Sequence, residues 1–223
     1  TRESNKFSEL PKIEKKNFVT EITVQSHPGS LDISPEEIKG VNLDREVILE
    51  LAKEKLWEII SDLPTVASCI PGMSLESVGD DGSVIGRLTI AVGPIKASFS
   101  GKGNVNFNPA NTSGQLYGAG TDRLTRSKIL ASLSFNIAHF EENYSKLSLH
   151  VTYDIRGPLS QFGRKALVEE IADSLLKDIT KSIIANASGT QHKVPENRSF
   201  KVLPFLGTVF KSLIMRLFRQ KKF

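Results

Sequence analysis

The sequence predicts an α+β fold in which a curved antiparallel sheet closes around one long C-terminal helix, with two short helices after the first strand. Three observations carry that prediction. Segments between residues 84 and 155 alternate apolar and polar side chains with the period of two of a half-buried strand. Only short turns separate them, which favours an antiparallel meander. Leu167, Ile171, Leu175, Ile179 and Ile183 then recur at helical spacing after the last strand.

The elements follow in order. Residues 1–40 are rich in Lys, Glu, Ser and Pro and read as a partly ordered extension. Within it, Phe18–Val24 alternates like a short strand, and Pro28-Gly29 marks a turn. Ser34-Pro35-Glu36-Glu37 is a helix-start signal, with Ser34 as cap and Glu37 closing a capping box. The domain proper spans 41–188. Val41 to Leu51 reads as a strand, Lys53 to Ser61 as a helix and Pro64 to Cys69 as a second, shorter one. Val84, Leu88, Ile90 and Val92 share one parity. After a turn at Gly93-Pro94 the inward set is Ile95, Ala97, Phe99, Val105 and Phe107, with Lys96, Ser98, Ser100 and Lys102 outward. Leu116 to Gly120 is a weaker, glycine-softened strand. Leu133, Phe135 and Ile137 form the next apolar set, and Leu147, Leu149, Val151, Tyr153 and Ile155 the last. Glu141-Glu142-Asn143 joins these two strands as a hairpin. A helix is expected over Ser160 to Ala187, stopped by Gly189. Residues 189–199 read as a polar linker and 200–223 as a basic amphipathic tail.

A sheet that grips one amphipathic helix leaves an apolar space between them, and such a space is the default small-molecule site. The chain has 223 residues and a mass of 24.5 kDa, 39% of it hydrophobic and 24% charged, which is the balance of an ordinary globular protein. Its net charge of +4 is uneven. Residues 200–223 carry six cations and no acid, so residues 1–199 hold about −2 by subtraction. Nucleic-acid binding by the body loses its compositional support. Cys69 is the one cysteine, which excludes an intramolecular disulfide, a cysteine-ligated cluster and CxxC redox chemistry. The polar start Thr1-Arg2-Glu3-Ser4-Asn5 has no signal-peptide core, and the expected compartment is the cytoplasm.

Several residues invite a sharper reading than they support. Cys69 has no His within forty residues to activate it, so it is expected to be a buried packing residue. The four histidines have no metal-ligand spacing, and no metal is expected. Gly101-Lys102-Gly103 and Gly118-Ala119-Gly120 do not open a helix as a phosphate loop must, so they are expected to bend strands. Asp80-Asp81 and Glu141-Glu142 are turn carboxylates. Trp57 reads as a core anchor ahead of a ligand platform.

Residues 41–187 resemble the carbon monoxide dehydrogenase G-subunit family of the START-like, polyketide-cyclase-like (SRPBCC) superfamily, whose fold is the helix-grip fold. The resemblance is carried by Leu56-Trp57-Glu58, Asp62-Leu63-Pro64, Cys69-Ile70-Pro71-Gly72-Met73, Gly93-Pro94-Ile95-Lys96 and Phe99-Ser100-Gly101-Lys102. Leu116-Tyr117-Gly118-Ala119-Gly120 keeps part of the family's glycine-rich stretch, whereas residues 121–130 are charged. The resemblance implies a membrane-associated accessory protein of molybdenum hydroxylases, attached through its C-terminal segment on the inner face of the cell membrane. It also implies a hydrophobic pocket for a lipid-like cargo, a respiratory quinone being the sensible one, without a covalent or metal cofactor.

These readings place the ligand contacts at Ile70, Met73, Leu88, Ile90, Val92, Phe99, Val105, Leu133, Phe135, Ile137, Leu167 and Ile171, with His139 as a polar anchor. The membrane contacts fall on the apolar face of a helix over 205–218, namely Phe205, Leu206, Phe210, Leu213, Ile214, Leu217 and Phe218. Arg216, Arg219, Lys221 and Lys222 add positive charge toward an anionic surface. Two alternatives stand beside this non-catalytic carrier. One is an enzyme of the same fold, a cyclase, aromatase or dehydratase acting on an apolar substrate, with His139 and Tyr153 or Tyr117 as its polar pair. The other is a structural recruiter whose cavity is filled by its own side chains.

Overall fold

A computed structural model describes residues 34–92, 95–189 and 200–202. The strand expected at 18–24, the turn at Gly93-Pro94, nearly all of the linker and the helix at 205–218 lie outside the described residues. The N-terminal signal at Ser34 produces one 3-10 turn, Pro35–Glu37, in which Glu37 accepts a hydrogen bond from the Ser34 N–H at 2.8 Å.

The chain then runs β1 (Val41–Leu49), α1 (Lys53–Ser61), α2 (Leu63–Cys69), β2 (Met73–Val78), β3 (Ser83–Val92), β4 (Ile95–Asn108), β5 (Ser113–Asp122), β6 (Lys128–Glu141), β7 (Tyr144–Arg156), α3 (Lys165–Ala187) and β8 (Phe200–Val202). Seven strands form one antiparallel sheet in the order β1-β7-β6-β5-β4-β3-β2. The short links between β2 and β7 make each strand the neighbour of the next, and β1 closes on β7. This is the helix-grip architecture. β8 pairs in parallel with Ile90–Val92 of β3, beyond the point where β2 begins, so Phe200–Val202 belongs to the sheet edge and not to the start of the tail.

Strand parity sorts the two faces. Leu43, Leu49, Phe99, Ile137, Leu147 and Tyr153 are buried on the concave face, whereas Asp44, Glu46, Lys102, Asn106 and His150 are exposed on the other. The Asn143 turn joins β6 to β7 with a left-handed φ of 62°, as the hairpin signal required. Gly189, at φ 69°, ends α3. That helix begins at Lys165 and not at Ser160, because Gly157 (φ 89°) and Pro158 first turn the chain into a 3-10 segment, Pro158–Phe162.

Glycines set the curvature. Gly86, Gly101 and Gly120 lie side by side across β3, β4 and β5, with Gly103 and Gly118 in the next row. A Cβ on Gly101 would stand 2.1 Å from the Ala119 carbonyl oxygen, and one on Gly118 2.7 Å from that of Lys102. The strands here fold so closely that no side chain fits between them, the geometry of a glycine kink. Both glycine pairs lie inside strands, β4 and β5, and neither opens a helix.

One end of the space under the sheet is filled. Leu49, Leu56, Ile59, Ile60, Cys69, Ile137, Leu147 and Ile183 pack there as a continuous core, joining α1, α2 and the C-terminal half of α3 to the sheet. Trp57 meets Phe107 edge-on with ring centroids 5.8 Å apart, and Phe135 lies 6.4 Å from Trp57. Gly114 makes room for these rings, since a Cβ there would come within 2.6 Å of Phe135. Trp57 is thus a core anchor.

Candidate functional site

The opposite end of the concave face is hollow. A cavity of about 260 Å³ lies between the sheet and the N-terminal half of α3. Ile90, Ala97, Phe99, Ile129, Ala131, Val151, Tyr153 and Ile155 form its sheet wall. Val168, Ile171, Ala172 and Leu175, one face of α3, form the other, and Leu159 and Phe162 of the 3-10 segment close the end. The helical spacing of the α3 residues turns them all one way.

The lining is almost wholly apolar. The one hydroxyl among the described lining residues, on Tyr153, donates to the Gly163 carbonyl oxygen at 3.2 Å, and burial, with Glu169 nearby, raises the phenol's pKa. Beside the cavity, Arg45 of β1 forms an ion pair with Asp173 that ties the edge strand to α3. The hydrogen bond to Asp173 holds the guanidinium pKa above its ordinary value, with Glu169 and Asp44 adding to it.

A stapled loop bounds the same end. Asp122, only 2% exposed, accepts hydrogen bonds from the Ser98 N–H at 2.9 Å, the Thr125 N–H at 2.8 Å and the Thr125 hydroxyl at 2.6 Å. Burial opposes its charge, but these donors outweigh it and hold the carboxyl below the usual range. Ser127, fully buried, accepts from the Leu159 N–H at 2.9 Å and so fastens the loop to the cavity's end wall. Asp122→Ala strands two backbone donors and is expected to cost about 2–4 kcal/mol in urea unfolding. The folded pKa is depressed, so the Asp122 contribution is complete above the unfolded carboxyl pKa and is lost as pH falls through the folded value. The stability difference between parent and variant should shrink accordingly in acid, and a constant difference would remove Asp122 as the staple.

Of the ligand contacts expected from the sequence, Ile90, Phe99 and Ile171 line the cavity. Phe135 and Ile137 share its face but belong to the packed end. Leu133 and Val105 occupy the same cross-strand row as the lining residues Leu43 and Val151, yet lie outside the lining. Ile70, Met73, Leu88 and Leu167 are half-buried and also outside it, and of Val92 only the strand is described. His139 is exposed, contrary to its parity, where it pairs with Ser145 near the end of β6. It therefore cannot anchor a ligand in this cavity. Tyr117 stands on the convex face, opposite Ser132, so His139, Tyr117 and Tyr153 occupy three separate places. Cys69 is 2% exposed in the core, and burial raises its thiol pKa. Among the described residues no group of three or more His, Cys, Asp or Glu is placed to hold a metal, and no helix is long and apolar enough to cross a membrane.

Residues 47–188 match the family of the carbon monoxide dehydrogenase G subunit (CoxG). The chain belongs to that family. A conserved protein from Geobacillus kaustophilus is similar in structure, with a TM-score of 0.59 at 19% identity over 68% of this chain and 98% of that one. A protein from Thermus thermophilus gives a TM-score of 0.51 at 15% identity over 66% and 99%. An aromatase/cyclase from a Streptomyces species is more distant, at 0.49 and 13% over 66% and 93%. The first two likenesses show the helix-grip fold and no more. Comparison with curated proteins found no match in sequence. Family and fold together suggest that the CoxG domain binds a hydrophobic molecule.

Proposed function

We propose that this CoxG protein is a non-catalytic carrier that holds a respiratory quinone or similar lipid and links a molybdenum hydroxylase to the cytoplasmic face of the membrane. One observation supports it above the others: among the described residues the cavity wall is apolar, and the one hydroxyl in that lining is already engaged by Gly163. Such a wall holds a molecule by burial, at roughly 25 cal/mol per Å² of apolar surface, without an acid–base pair to transform it. A volume of about 260 Å³ suits a ring headgroup. The basic, apolar pattern of residues 203–223 supports the membrane part.

Native mass spectrometry of protein purified from its producing cells tests the carrier. A stoichiometric apolar adduct is expected, and a clean, empty chain overturns it. Truncation after Val202, which keeps β8, should release the chain from anionic vesicles in a sedimentation assay. A truncated chain that pellets as well as the parent removes the tail as anchor.

A further inference from the structure

The loop between β5 and β6 is built more firmly than closing the cavity requires. Residues 123–128 read Arg-Leu-Thr-Arg-Ser-Lys, three cations and no acid. Leu124 is 85% exposed, the most exposed large hydrophobic side chain among the described residues. A lone surface leucine ordinarily needs no explanation. This one sits between exposed Arg123 and Arg126, on a loop pinned on one side by buried Asp122 and on the other by buried Ser127. Arg126 is held at a left-handed φ of 58°, which a loop free to relax would avoid. The protein uses a buried carboxylate to keep an aliphatic side chain in water.

Position gives that expense a use. β3 and β5 end, and β4 and β6 begin, at the same end of the sheet, as the pairs Val92–Ile95, Phe99–Asp122 and Thr121–Lys128 show. β7 also ends there, with Arg156 beside Lys128 in register. Because β8 runs parallel to β3, the chain leaves Val202 toward residues 203–223 at this end too. Leu124, its flanking cations, the cavity and the root of the basic tail therefore share one pole of the domain.

We propose that the 123–128 loop is a second membrane contact, with Leu124 entering the interfacial layer of an anionic bilayer while Arg123 and Arg126 remain at its phosphates. The cavity end then faces the lipid. An acidic protein surface fits less well, because a stable protein interface needs about 800 Å² on each side around an apolar core. A single aliphatic tip ringed by arginines offers no such core, whereas fluid lipid closes around it and leaves the guanidinium groups hydrated. This inference rests on the membrane part of the proposed function but names a surface separate from the tail.

The test uses the full chain and vesicles of phosphatidylcholine with or without phosphatidylglycerol. Leu124→Asp, and separately Arg123→Gln with Arg126→Gln, are expected to weaken partitioning onto anionic vesicles about tenfold, with unchanged thermal melting. Leu124→Cys carrying an environment-sensitive fluorophore should shift to the blue on those vesicles; Cys69 is buried and leaves position 124 as the reporter. Parent and Leu124→Asp chains that partition equally overturn the loop contact and leave the tail as sole anchor. A parent chain that ignores anionic vesicles altogether overturns the membrane reading itself.

Discussion

Ala172→Phe is expected to abolish ligand retention, with a loss of affinity of about 100-fold for any apolar probe, while the domain folds as before. Ala172 lines the cavity from the α3 wall, and Ala131 and Val151 line it from the sheet. A benzyl group there occupies much of the roughly 260 Å³ that a ligand would otherwise fill. The ring takes over the contacts a ligand makes, so stability should change by no more than about 1 kcal/mol in either direction. Titration with a fluorescent apolar probe and a urea melt measure both halves. Phe135→Leu is the matched control. It loosens the ring contacts with Trp57 and Phe107 at the packed end and should lower stability while leaving binding intact. Full binding by Ala172→Phe would place the site somewhere other than between α3 and the sheet.

That prediction differs from the sequence reading, which places Phe135 and Leu167 among the ligand contacts and does not single out Ala172. Strand parity is legible because the side-chain period of a strand is two, and it correctly turns Phe99, Ile137 and Tyr153 toward the helix. Parity distinguishes faces, however, and says nothing about position along a face. The C-terminal half of α3 packs with α1 and α2 against one end of the sheet, so inward bulky residues such as Phe135 and Ile137 are core. Bulk is also the wrong signal for a cavity. Large side chains fill space, and the hollow lies where Ala97, Ala131 and Ala172 leave it. His139 lies near the end of β6 and is exposed, and alternation does not report where a strand runs out of the core. The pairing of β8 is equally invisible, since three residues are too few for a period and a parallel edge contact depends on where the sheet leaves β3 uncovered. The 123–128 segment is legible only as charge.

Gly101→Ala is expected to destabilise the domain by about 3 kcal/mol, although it adds a single methyl group. Its Cβ would lie 2.1 Å from the Ala119 carbonyl oxygen and 2.7 Å from the Gly120 Cα, and both atoms are backbone of β5. No rotamer relieves a clash with backbone. β4 must draw away from β5 at the crease of the sheet, and the ladder hydrogen bonds around Gly101–Gly120 weaken with it. For a domain of this size the melting temperature should fall by about 10 °C. The crease also sets how far the wall carrying Phe99 curls over α3, so apolar ligand binding should weaken in parallel. Gly120→Ala separates this cause from a general intolerance of glycine replacement. Its Cβ meets side-chain atoms first, Phe99 Cβ at 3.3 Å and Ile129 Cγ2 at 3.4 Å, which can yield by a few tenths of an ångström. That variant should cost less than about 1 kcal/mol. Calorimetry on the two single variants decides the matter: if they melt within a degree of each other, close packing of β4 on β5 is not what bends the sheet.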